Sequence, residues 1–404
     1  MNKVLLVGNG FDLAHGLLTS YGDFLYLMQN WNEFKKVYEE EKIFIENSKD
    51  KSNVERKLFS QLDIYELLNV PSNEVYIFKR YVKNIMDMDE SLLNRLEKII
   101  EANSWVRYFC NCGAEIDGWI DFEKEIYPVI ELFQFIFQSD YFDDASYNSD
   151  KIYISKQNAN SKILSTCKHW DKYLKLGNEI WIEREYGSQK CGVLKKKILK
   201  SLKEEFGEFI YAFEIYLHEF VYKRKDLKLI KQIDRINADY VISFNYTLTE
   251  KLYGISEKNT HHIHGSIRED LSQGKNNMVL GVNEQEDQNL DFIYFVKYFQ
   301  RIQKRTGTDY KKFLEECGYK GKGWTIDNKS GYHLHIYGHS LDVTDEDILK
   351  YVIDGAKKVY IYYYDQADYE SKVINLIALY KREDVEKNIE NKDIEFVETS
   401  DKTI

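Results

Sequence analysis

The chain begins with the run Lys3-Val4-Leu5-Leu6-Val7, which ends at Gly8. A short run rich in valine and leucine that is bounded by glycine is typical of a buried parallel strand. Comparable strand patterns return at residues 239–244, 260–264, 278–282, 332–337 and 359–364. Helical patterns lie between them at residues 284–299 and 345–352. This alternation predicts an α/β fold built on a Rossmann-like, mostly parallel sheet.

The middle of the chain has a different pattern, in which apolar residues recur every three or four positions among charged ones. It predicts helices at residues 21–34, 89–100 and 195–221, the second with an acidic start. The polar stretch 139–162 is predicted to be a loop. The chain is therefore divided into an α/β core, residues 1–30 and 236–404, and a large, mainly helical insertion, residues 31–235.

A glycine-rich turn with Gly8, Gly10 and Gly16 follows the first predicted strand. Glycines here let the backbone turn sharply and bring its N–H groups close to a phosphate, with the positive end of a helix behind them. The dinucleotide fingerprint G-x-G-x-x-G would also need a glycine at position 13, where the chain has Leu13. Two interpretations stay open: a nucleotide pocket, and a tight strand-to-helix turn without a ligand.

Small and polar residues follow three other predicted strands, in Ser243-Phe244-Asn245-Tyr246, His264-Gly265-Ser266 and Gly338-His339-Ser340-Leu341-Asp342. In open α/β sheets ligands bind at the carboxyl ends of the strands, so we expect these residues to converge on the glycine-rich turn. Each also has a structural interpretation, because Asn245 suits a turn and Asp342 suits the start of the helix that follows. Their shared position after strands favours a common site.

Composition narrows the class of protein. With 404 residues, 43% of them hydrophobic and 30% charged, the chain is typical of a globular protein with a large core. A net charge of -11 argues against non-specific nucleic-acid binding, which depends on lysine and arginine contacts to phosphates. Five cysteines give no even disulfide framework, and no run of about eighteen apolar residues occurs. We expect a cytoplasmic protein that does not span a membrane.

The histidines raise a metal alternative. His261, His262 and His264 are close in sequence, and His333 and His335 fall on one face of a predicted strand. A His-x-His pair completed by a carboxylate can hold zinc, but histidines on neighbouring strands also pack as half-buried aromatic residues. No H-E-x-x-H motif is present. We assign no metal ligand and keep metal-dependent hydrolysis as a third hypothesis.

The chain carries five recognisable motifs: Gly8-Asn9-Gly10-Phe11-Asp12-Leu13-Ala14-His15-Gly16, Thr19-Ser20-Tyr21-Gly22-Asp23-Phe24, Ser243-Phe244-Asn245-Tyr246-Thr247, His262-Ile263-His264-Gly265 and Gly338-His339-Ser340-Leu341-Asp342. Together they resemble the bacteriophage abortive-infection AbiH family from end to end. Trp119-Ile120-Asp121-Phe122-Glu123 resembles an acidic motif of that family, to which we assign no chemistry. The resemblance implies a role in defence against phage.

A more distant similarity is to sirtuin-like NAD-binding domains, and it covers the predicted sheet but not the insertion. It rests on the spacing of Gly8, Gly10 and Gly16, on the asparagine Asn245, on the His-Gly pair at His264 and on the Gly-x-Ser loop at 338–342. Two residues depart from that pattern: Thr247 stands where an aspartate is usual, and Asp12 where a serine is common. The paired cysteine knuckles of protein deacetylases are absent. The similarity therefore implies NAD hydrolysis rather than protein deacylation.

The similarity also implies roles for single residues. His264 would act as the base toward water or a ribose hydroxyl, and Asn245 would orient that water or the ribose. The N–H groups of residues 8–11 would bind the pyrophosphate, Ser340 or Asp342 a ribose hydroxyl, and Asp12 either a ribose or the helix start. The expected catalytic residues are Asn245 and His264. The expected NAD-binding residues are Gly8, Asn9, Gly10, Phe11, Asp12, His15, Gly16, Ser20, Ser243, Gly265, Gly338, His339, Ser340 and Asp342.

The leading hypothesis is a sirtuin-like α/β protein of the AbiH type that binds NAD and hydrolyses it to nicotinamide and ADP-ribose during phage infection. Cleavage of this bond passes through an oxocarbenium-like transition state, as glycoside hydrolysis does. The first alternative is a nucleotide-sensing or interaction module of the same fold without turnover. The expected partners are a small-molecule nucleotide and a phage-derived trigger or partner protein. Homo-oligomer formation is left open, and the helical insertion is a candidate for control or assembly.

Overall fold

The computed structural model describes residues 1–47, 75–113, 122–139, 151–177, 179–183, 191–223, 227–283, 289–319, 331–391 and 393–399. Three predictions fall partly outside these residues: the acidic motif at 119–121, the polar stretch at 140–150 and the predicted helix at 284–288. The described strands are β1 (Asn2–Val7), β2 (Lys151–Ile154), β3 (Lys175–Leu176), β4 (Ile180–Glu183), β5 (Tyr240–Ser243), β6 (Thr260–His262), β7 (Tyr332–Tyr337), β8 (Lys358–Tyr363) and β9 (Ile394–Glu398).

The described α-helices are α1 (Asn9–Ala14), α2 (Tyr21–Gln29), α3 (Trp31–Asn47), α4 (Val75–Met86), α5 (Glu90–Ala102), α6 (Ser104–Gly113), α7 (Phe122–Phe137), α8 (Ser161–Cys167), α9 (Cys191–Tyr216), α10 (Lys231–Asp234), α11 (Lys297–Lys304), α12 (Asp309–Glu316), α13 (Glu346–Asp354), α14 (Gln366–Leu379) and α15 (Arg382–Glu390). A π-helical segment, Leu217–Tyr222, continues α9. Short 3-10 helices lie at Lys156–Asn158, Thr249–Tyr253, Glu257–Asn259, Leu290–Phe295 and Val343–Asp345. Of the helices in the described ranges, none has the length and apolar character needed to cross a bilayer.

The chain forms two compact units. The α/β unit comprises Met1–Ser20 and Val221–Ile404, and the helical unit comprises Tyr21–Phe220. The division from sequence drew its boundaries after residues 30 and 235. Helix α10 lies in the α/β unit because Ile233 packs into that unit's core.

Six strands of the α/β unit form one parallel sheet in the order β6-β5-β1-β7-β8-β9. Counted along this unit alone, the order is 3-2-1-4-5-6, which is found in doubly wound sheets. The direction of strand addition reverses between β1 and β7, which is therefore the switch point where such sheets bind ligands. The predicted α/β fold with a parallel sheet is confirmed, and its sirtuin-type detail stays a prediction.

The side chains of β1 alternate between the two faces of the sheet. Val4 and Leu6 belong to one buried cluster, which includes residues of α12 to α15. Leu5 and Val7 belong to another, with Phe11 of α1. All four strand residues are at most 1% exposed. Because both faces are covered, β1 has the continuous apolar run seen in the sequence.

The helical unit has an aromatic core of its own. The rings of Trp105 and Trp170 meet edge-on with centroids 5.0 Å apart, and Trp105 Nε1 donates to Leu202 O at 3.0 Å. The acidic start predicted for the helix at 89–100 is confirmed, since Asp89 caps α5 by accepting hydrogen bonds from two main-chain N–H groups. Strands β2, β4 and β3 form a small antiparallel sheet in this unit.

Three local predictions differ from the structure, and one strand of the six-stranded sheet was not predicted. Residues 278–282 are extended but lie outside the six-stranded sheet, held by the Gln300 side chain and by one bridge between Val282 and Val296. Their apolar run reflects burial rather than ladder pairing. The described part of 284–299 is a 3-10 helix, and α11 begins only at Lys297. Strand β2 lies in the predicted loop, and the edge strand β9 was missed because its glutamates dilute the apolar pattern.

Candidate functional site

The carboxyl ends of four parallel strands lie side by side at one edge of the sheet. Val7 of β1 is in register with Ser243 of β5 and Tyr337 of β7, and Ser243 is in register with His262 of β6. The segments that follow these strands therefore meet at this edge, which confirms the predicted convergence. This carboxyl edge is the candidate functional site.

The glycines after β1 allow two loops to pack closely. A side chain on Gly8 would place its Cβ 2.7 Å from His339 Cα, and one on Gly10 would place it 2.8 Å from Gly338 Cα. Gly338 has φ +68°, and a Cβ there would overlap the main-chain nitrogen of Phe11. Contact between the β1 and β7 loops, across the switch point, therefore requires glycine at these positions.

Main-chain hydrogen bonds already occupy three of the four N–H groups expected to bind pyrophosphate. The N–H of Gly8 donates to Tyr337 O at 3.1 Å, and that of Phe11 donates to Gly8 O at 2.9 Å. The N–H of Gly10 donates to Gly338 O at 2.8 Å. The segment thus has the geometry of a tight strand-to-helix turn, and phosphate binding by it stays a prediction.

Asn245 is held at three points. Its Nδ2 donates to Gly8 O at 3.0 Å, and its main-chain N–H donates to Ser243 Oγ at 3.2 Å. Its carbonyl oxygen accepts a hydrogen bond from His262 Nδ1 at 3.0 Å. The residue is 6% exposed. The main chain and the amide are therefore fixed at the carboxyl edge, as an orienting role requires.

One buried group of side chains at this edge, the His264 cluster, consists of His264, Asp345, Lys297 and His339. Asp345 Oδ1 accepts from His264 Nε2 at 3.1 Å and from Lys297 Nζ at 3.2 Å. His339 Nε2 lies 3.8 Å from Asp345 Oδ2, and its Nδ1 accepts from the N–H of Leu341 at 2.9 Å. Leu341 has φ +61°, a left-handed conformation that strains a non-glycine residue, so backbone strain accompanies this arrangement.

Charge and hydrogen bonding set the protonation states in the His264 cluster. Burial alone would raise the pKa of Asp345, but Lys297 and His264 outweigh it and hold that pKa far below its usual range. Burial lowers the pKa of His264, so a neutral imidazole donates its Nε2–H to the carboxylate. Its Nδ1 is buried and accepts no hydrogen bond from the residues that the structure describes. A neutral imidazole oriented by a carboxylate, with its other nitrogen unprotonated, is the arrangement of a general base.

A second buried group, the Asp12 cluster, consists of Asp12, Thr247, Thr249, Glu250 and His262. Thr247 Oγ1 donates to Asp12 Oδ2 at 2.5 Å, and Thr249 Oγ1 donates to Thr247 Oγ1 at 3.1 Å. His262 Nε2 lies 3.2 Å from Glu250 Oε1. The other carboxyl oxygen of Asp12, Oδ1, is buried and receives no donor within the described ranges. The cluster therefore holds two carboxyl groups and one imidazole, and the imidazole is hydrogen-bonded to the carbonyl oxygen of Asn245.

The Asp12 cluster also has perturbed pKa values. Burial raises the pKa of Asp12 to about 7, and the hydroxyls of Thr247 and Thr249 offset this only in part. Burial acts to lower the pKa of His262, but the hydrogen bond with Glu250 outweighs it, so this pKa is raised. A buried carboxyl with a pKa near 7 is suited to proton transfer or to charge-dependent binding.

Two predicted ligand residues on the β1 side, Asn9 and His15, have side-chain hydrogen-bond partners within the protein. Asn9 Oδ1 accepts from Thr19 Oγ1 at 2.6 Å. His15 Nδ1 donates to Phe11 O at 2.7 Å, and its Nε2 accepts from the hydroxyl of Tyr253 at 2.8 Å. Gly16, with φ +70°, and the half-buried Ser20 complete this segment. His15 thus anchors α1 to the 3-10 helix at Thr249–Tyr253.

The other predicted ligand residues follow β6 and β7. Gly265 has φ +73° and packs so closely on Asn277 that a Cβ would overlap its main chain. Ser340 is exposed, and its carbonyl accepts from Asn375 Nδ2 at 2.8 Å. Asp342 caps the 3-10 helix at Val343–Asp345 rather than α13, whose N-cap is Asp345.

The histidines considered as metal ligands have aromatic neighbours. The His335 ring stacks on Tyr360 with centroids 4.6 Å apart, and its Nδ1 lies 3.0 Å from the hydroxyl of Tyr362. The His261 ring lies 5.5 Å from Tyr310. Burial lowers the pKa of both histidines to about 4. In the part of the chain that the structure describes, no three His, Cys, Asp or Glu residues are arranged to hold a metal ion.

A cavity of about 390 Å³ lies at the opposite edge of the sheet, near the amino ends of β1 and β5. Its lining includes Asn2, Asp239 and Asn259. The cavity shares no residue with the His264 cluster or the Asp12 cluster. We place the candidate site at the carboxyl edge because buried acid–base groups with perturbed pKa values are concentrated there.

Sequence reasoning missed Lys297 and Glu250 as parts of the site and treated Asp345 only as a helix start. Lys297 is one of several cations in residues 297–305, and nothing local distinguishes it as the one that is 3% exposed. Glu250 had a usable signal, since a run of polar residues follows β5. Such a density of hydrogen-bonding side chains directly after a buried strand indicates a network at the sheet edge.

Comparison with known proteins identifies the family to which the chain is similar. A family model described as bacteriophage abortive infection AbiH matches residues 4–364, a range that contains both clusters. Neither a comparison with curated proteins nor one with solved structures gives a match. The comparisons therefore support the AbiH resemblance and give no support to the sirtuin-like one.

Proposed function

The chain belongs to the bacteriophage abortive infection AbiH family, and we propose that it serves phage defence by hydrolysing NAD at the carboxyl edge of its sheet. The bond cleaved would be the one between nicotinamide and ribose, and the products would be nicotinamide and ADP-ribose. Loss of NAD would stop the growth of the infected host.

The pairing of His264 with Asp345 is the observation that carries this proposal. The carboxylate fixes the His264 proton on Nε2 and leaves Nδ1 as a buried lone pair. Hydrolysis of a riboside needs a base of this kind, because the attacking water must lose a proton. Asn245, held through Gly8, supplies a rigid amide at the same edge to orient the water or the ribose.

The proposed hydrolysis needs few further groups from the protein. The bond from ribose C1′ to the pyridine nitrogen breaks, and its electron pair passes to the ring, which leaves as neutral nicotinamide. The water oxygen bonds to C1′, and its proton passes to Nδ1 of His264. Because the transition state is oxocarbenium-like, positioning and electrostatics supply most of the acceleration.

A sensing module without turnover is the second candidate. Its support is the buried Asp12 cluster, which suits charge-dependent binding, whereas three of the four N–H groups of the glycine turn are already bonded within the protein. A nucleotide would then bind through the side chains of the two clusters. Both candidates place the ligand at the carboxyl edge, so binding and turnover must be measured separately.

The test is chromatography of NAD after incubation with the purified chain, with and without extract from phage-infected cells. Wild type is expected to release nicotinamide. His264→Ala and Asn245→Ala are expected to lower the rate by at least about 100-fold, since each removes a group that acts on the water. His333→Ala is the matched histidine control, because His333 is half-buried on β7 and belongs to neither cluster.

The outcomes separate the hypotheses. Tight NAD binding without nicotinamide release supports the sensing module. Activity that is lost only on chelation supports metal-dependent hydrolysis. If NAD is neither bound nor consumed under either condition, the proposed function is wrong.

A further inference from the structure

We propose that Asp12 is a further catalytic residue of this reaction, with its unpaired carboxyl oxygen contacting the ribosyl group and stabilising the positive charge that develops there. This inference rests on the proposed function. It also specifies the substrate class: a riboside whose leaving base is cationic, as the nicotinamide of NAD is.

The geometry of Asp12 supports a ligand contact. Its Oδ2 is fixed by the Thr247 hydroxyl at 2.5 Å, and Thr247 lies two residues after Asn245. Its Oδ1 is buried without a hydrogen bond from the described residues, although Asp12 is only 1% exposed. Buried polar atoms in folded proteins nearly always have a partner, so an orphan oxygen beside the candidate site indicates a partner from outside the chain.

The charges around Asp12 restrict what that partner is. The charged groups that face it are Glu250 and His262, which lie 3.2 Å apart and pair with one another. Ionised Asp12 therefore adds a negative charge that its neighbours do not cancel. A phosphate would be repelled at this point, whereas a pyridinium or a ribosyl cation would be attracted. The nicotinamide riboside end of NAD fits, and the pyrophosphate must lie elsewhere.

A carboxylate in this position acts on the transition state more than on the product. As the C1′–N bond breaks, positive charge spreads from the pyridine ring onto the ribosyl group, and it passes to His264 when the water oxygen bonds to C1′ and gives up its proton. Asp12 neither gains nor loses a proton during this step, because His264 accepts the proton from water. The two residues thus have different roles: Asp12 stabilises the developing positive charge, and His264 accepts the proton.

The experiment compares wild type with Asp12→Asn and Thr247→Val, and uses Asp234→Asn as the matched control on an exposed carboxyl of α10. Two quantities are measured: the pH profile of kcat/KM for NAD, and the ratio of NAD to NADH affinity by titration calorimetry. NADH is the neutral-ring probe. For wild type, kcat/KM should rise as Asp12 ionises near pH 7, and NAD should bind about tenfold more tightly than NADH above that pH.

Asp12→Asn should lower kcat/KM by about 100-fold, remove the rise near pH 7 and bring the affinity ratio close to one. Thr247→Val keeps the carboxyl but removes its hydrogen-bond donor, so the rise should move to higher pH. A merely structural role of Asp12 would move neither the pH profile nor the affinity ratio.

The inference is overturned if Asp12→Asn hydrolyses NAD with the wild-type pH profile, or if its affinity ratio is unchanged. If wild type neither binds nor consumes NAD, the proposed function fails first. If wild type hydrolyses NAD and Asp12→Asn behaves as wild type, only the role of Asp12 fails.

Discussion

Replacing Asp12 by asparagine is expected to change how the stability of the protein depends on pH. The folded-state pKa of Asp12 is about 7, compared with an ordinary value of 3.8, because burial disfavours the carboxylate. The folded protein therefore holds this proton more tightly than the unfolded chain does. Stability from this group is complete below pH 3.8 and is lost as the pH rises through about 7.

The size of the effect follows from the difference between the two pKa values. One pKa unit corresponds to about 1.4 kcal/mol, so the total loss is about 4 kcal/mol, of which about 2 kcal/mol falls between about pH 5.5 and about pH 8.5. Asparagine resembles the protonated carboxyl in shape and hydrogen bonding. Relative to wild type, the variant should thus become more stable as the pH rises.

The assay is urea denaturation at both pH values, followed by far-UV circular dichroism. The comparison is a double difference, wild type against variant and low against high pH, in which the titration of all other groups cancels. Asp234→Asn, on an exposed surface, should give a double difference near zero. If wild type and Asp12→Asn lose the same free energy of unfolding between the two pH values, the inference that folding raises the pKa of Asp12 is wrong.

Three further substitutions test other contacts. Lys297→Met leaves Asp345 buried without its ammonium partner, so it should cost about 3 to 5 kcal/mol of unfolding free energy in urea denaturation. Gly338→Ala should lower the thermal midpoint far more than Gly254→Ala, because both glycines have positive φ but only the first has main-chain atoms where a Cβ would lie. Tyr253→Phe removes the hydroxyl that donates a hydrogen bond to the buried His15. It should lower the free energy of unfolding by about 1 to 3 kcal/mol at pH 7, measured by the same denaturation.

Much of the sheet was predictable from sequence because buried parallel strands have apolar runs that glycine and polar residues interrupt. The apolar run before Gly8 forms β1, and the polar segments after β5, β6 and β7 meet at the carboxyl edge of the sheet. Their convergence follows from parallel pairing alone. The prediction of a sheet strand at 278–282 was wrong because a buried extended segment has the same apolar pattern as a sheet strand, even when its hydrogen bonds go to loops and to the Gln300 side chain.

The acid–base partners were much less predictable. His264 and Asp345 are separated by 81 residues, and no local pattern pairs them. The raised pKa of Asp12 depends on burial, which arises only when the segments after β1 and β5 pack together. The glycines after β1 were easy to recognise in the sequence, but their spacing has a second physical cause. It also allows the loop after β1 to contact the loop after β7.

The close contact between Gly10 and Gly338 fixes the β1 and β7 sides of the carboxyl edge to one another. Backbone touches backbone there, so separation would break a main-chain hydrogen bond and expose a closely packed surface. Entry of a ligand should therefore leave this contact in place and move side chains around it, and amide hydrogen exchange should be slow at Gly10.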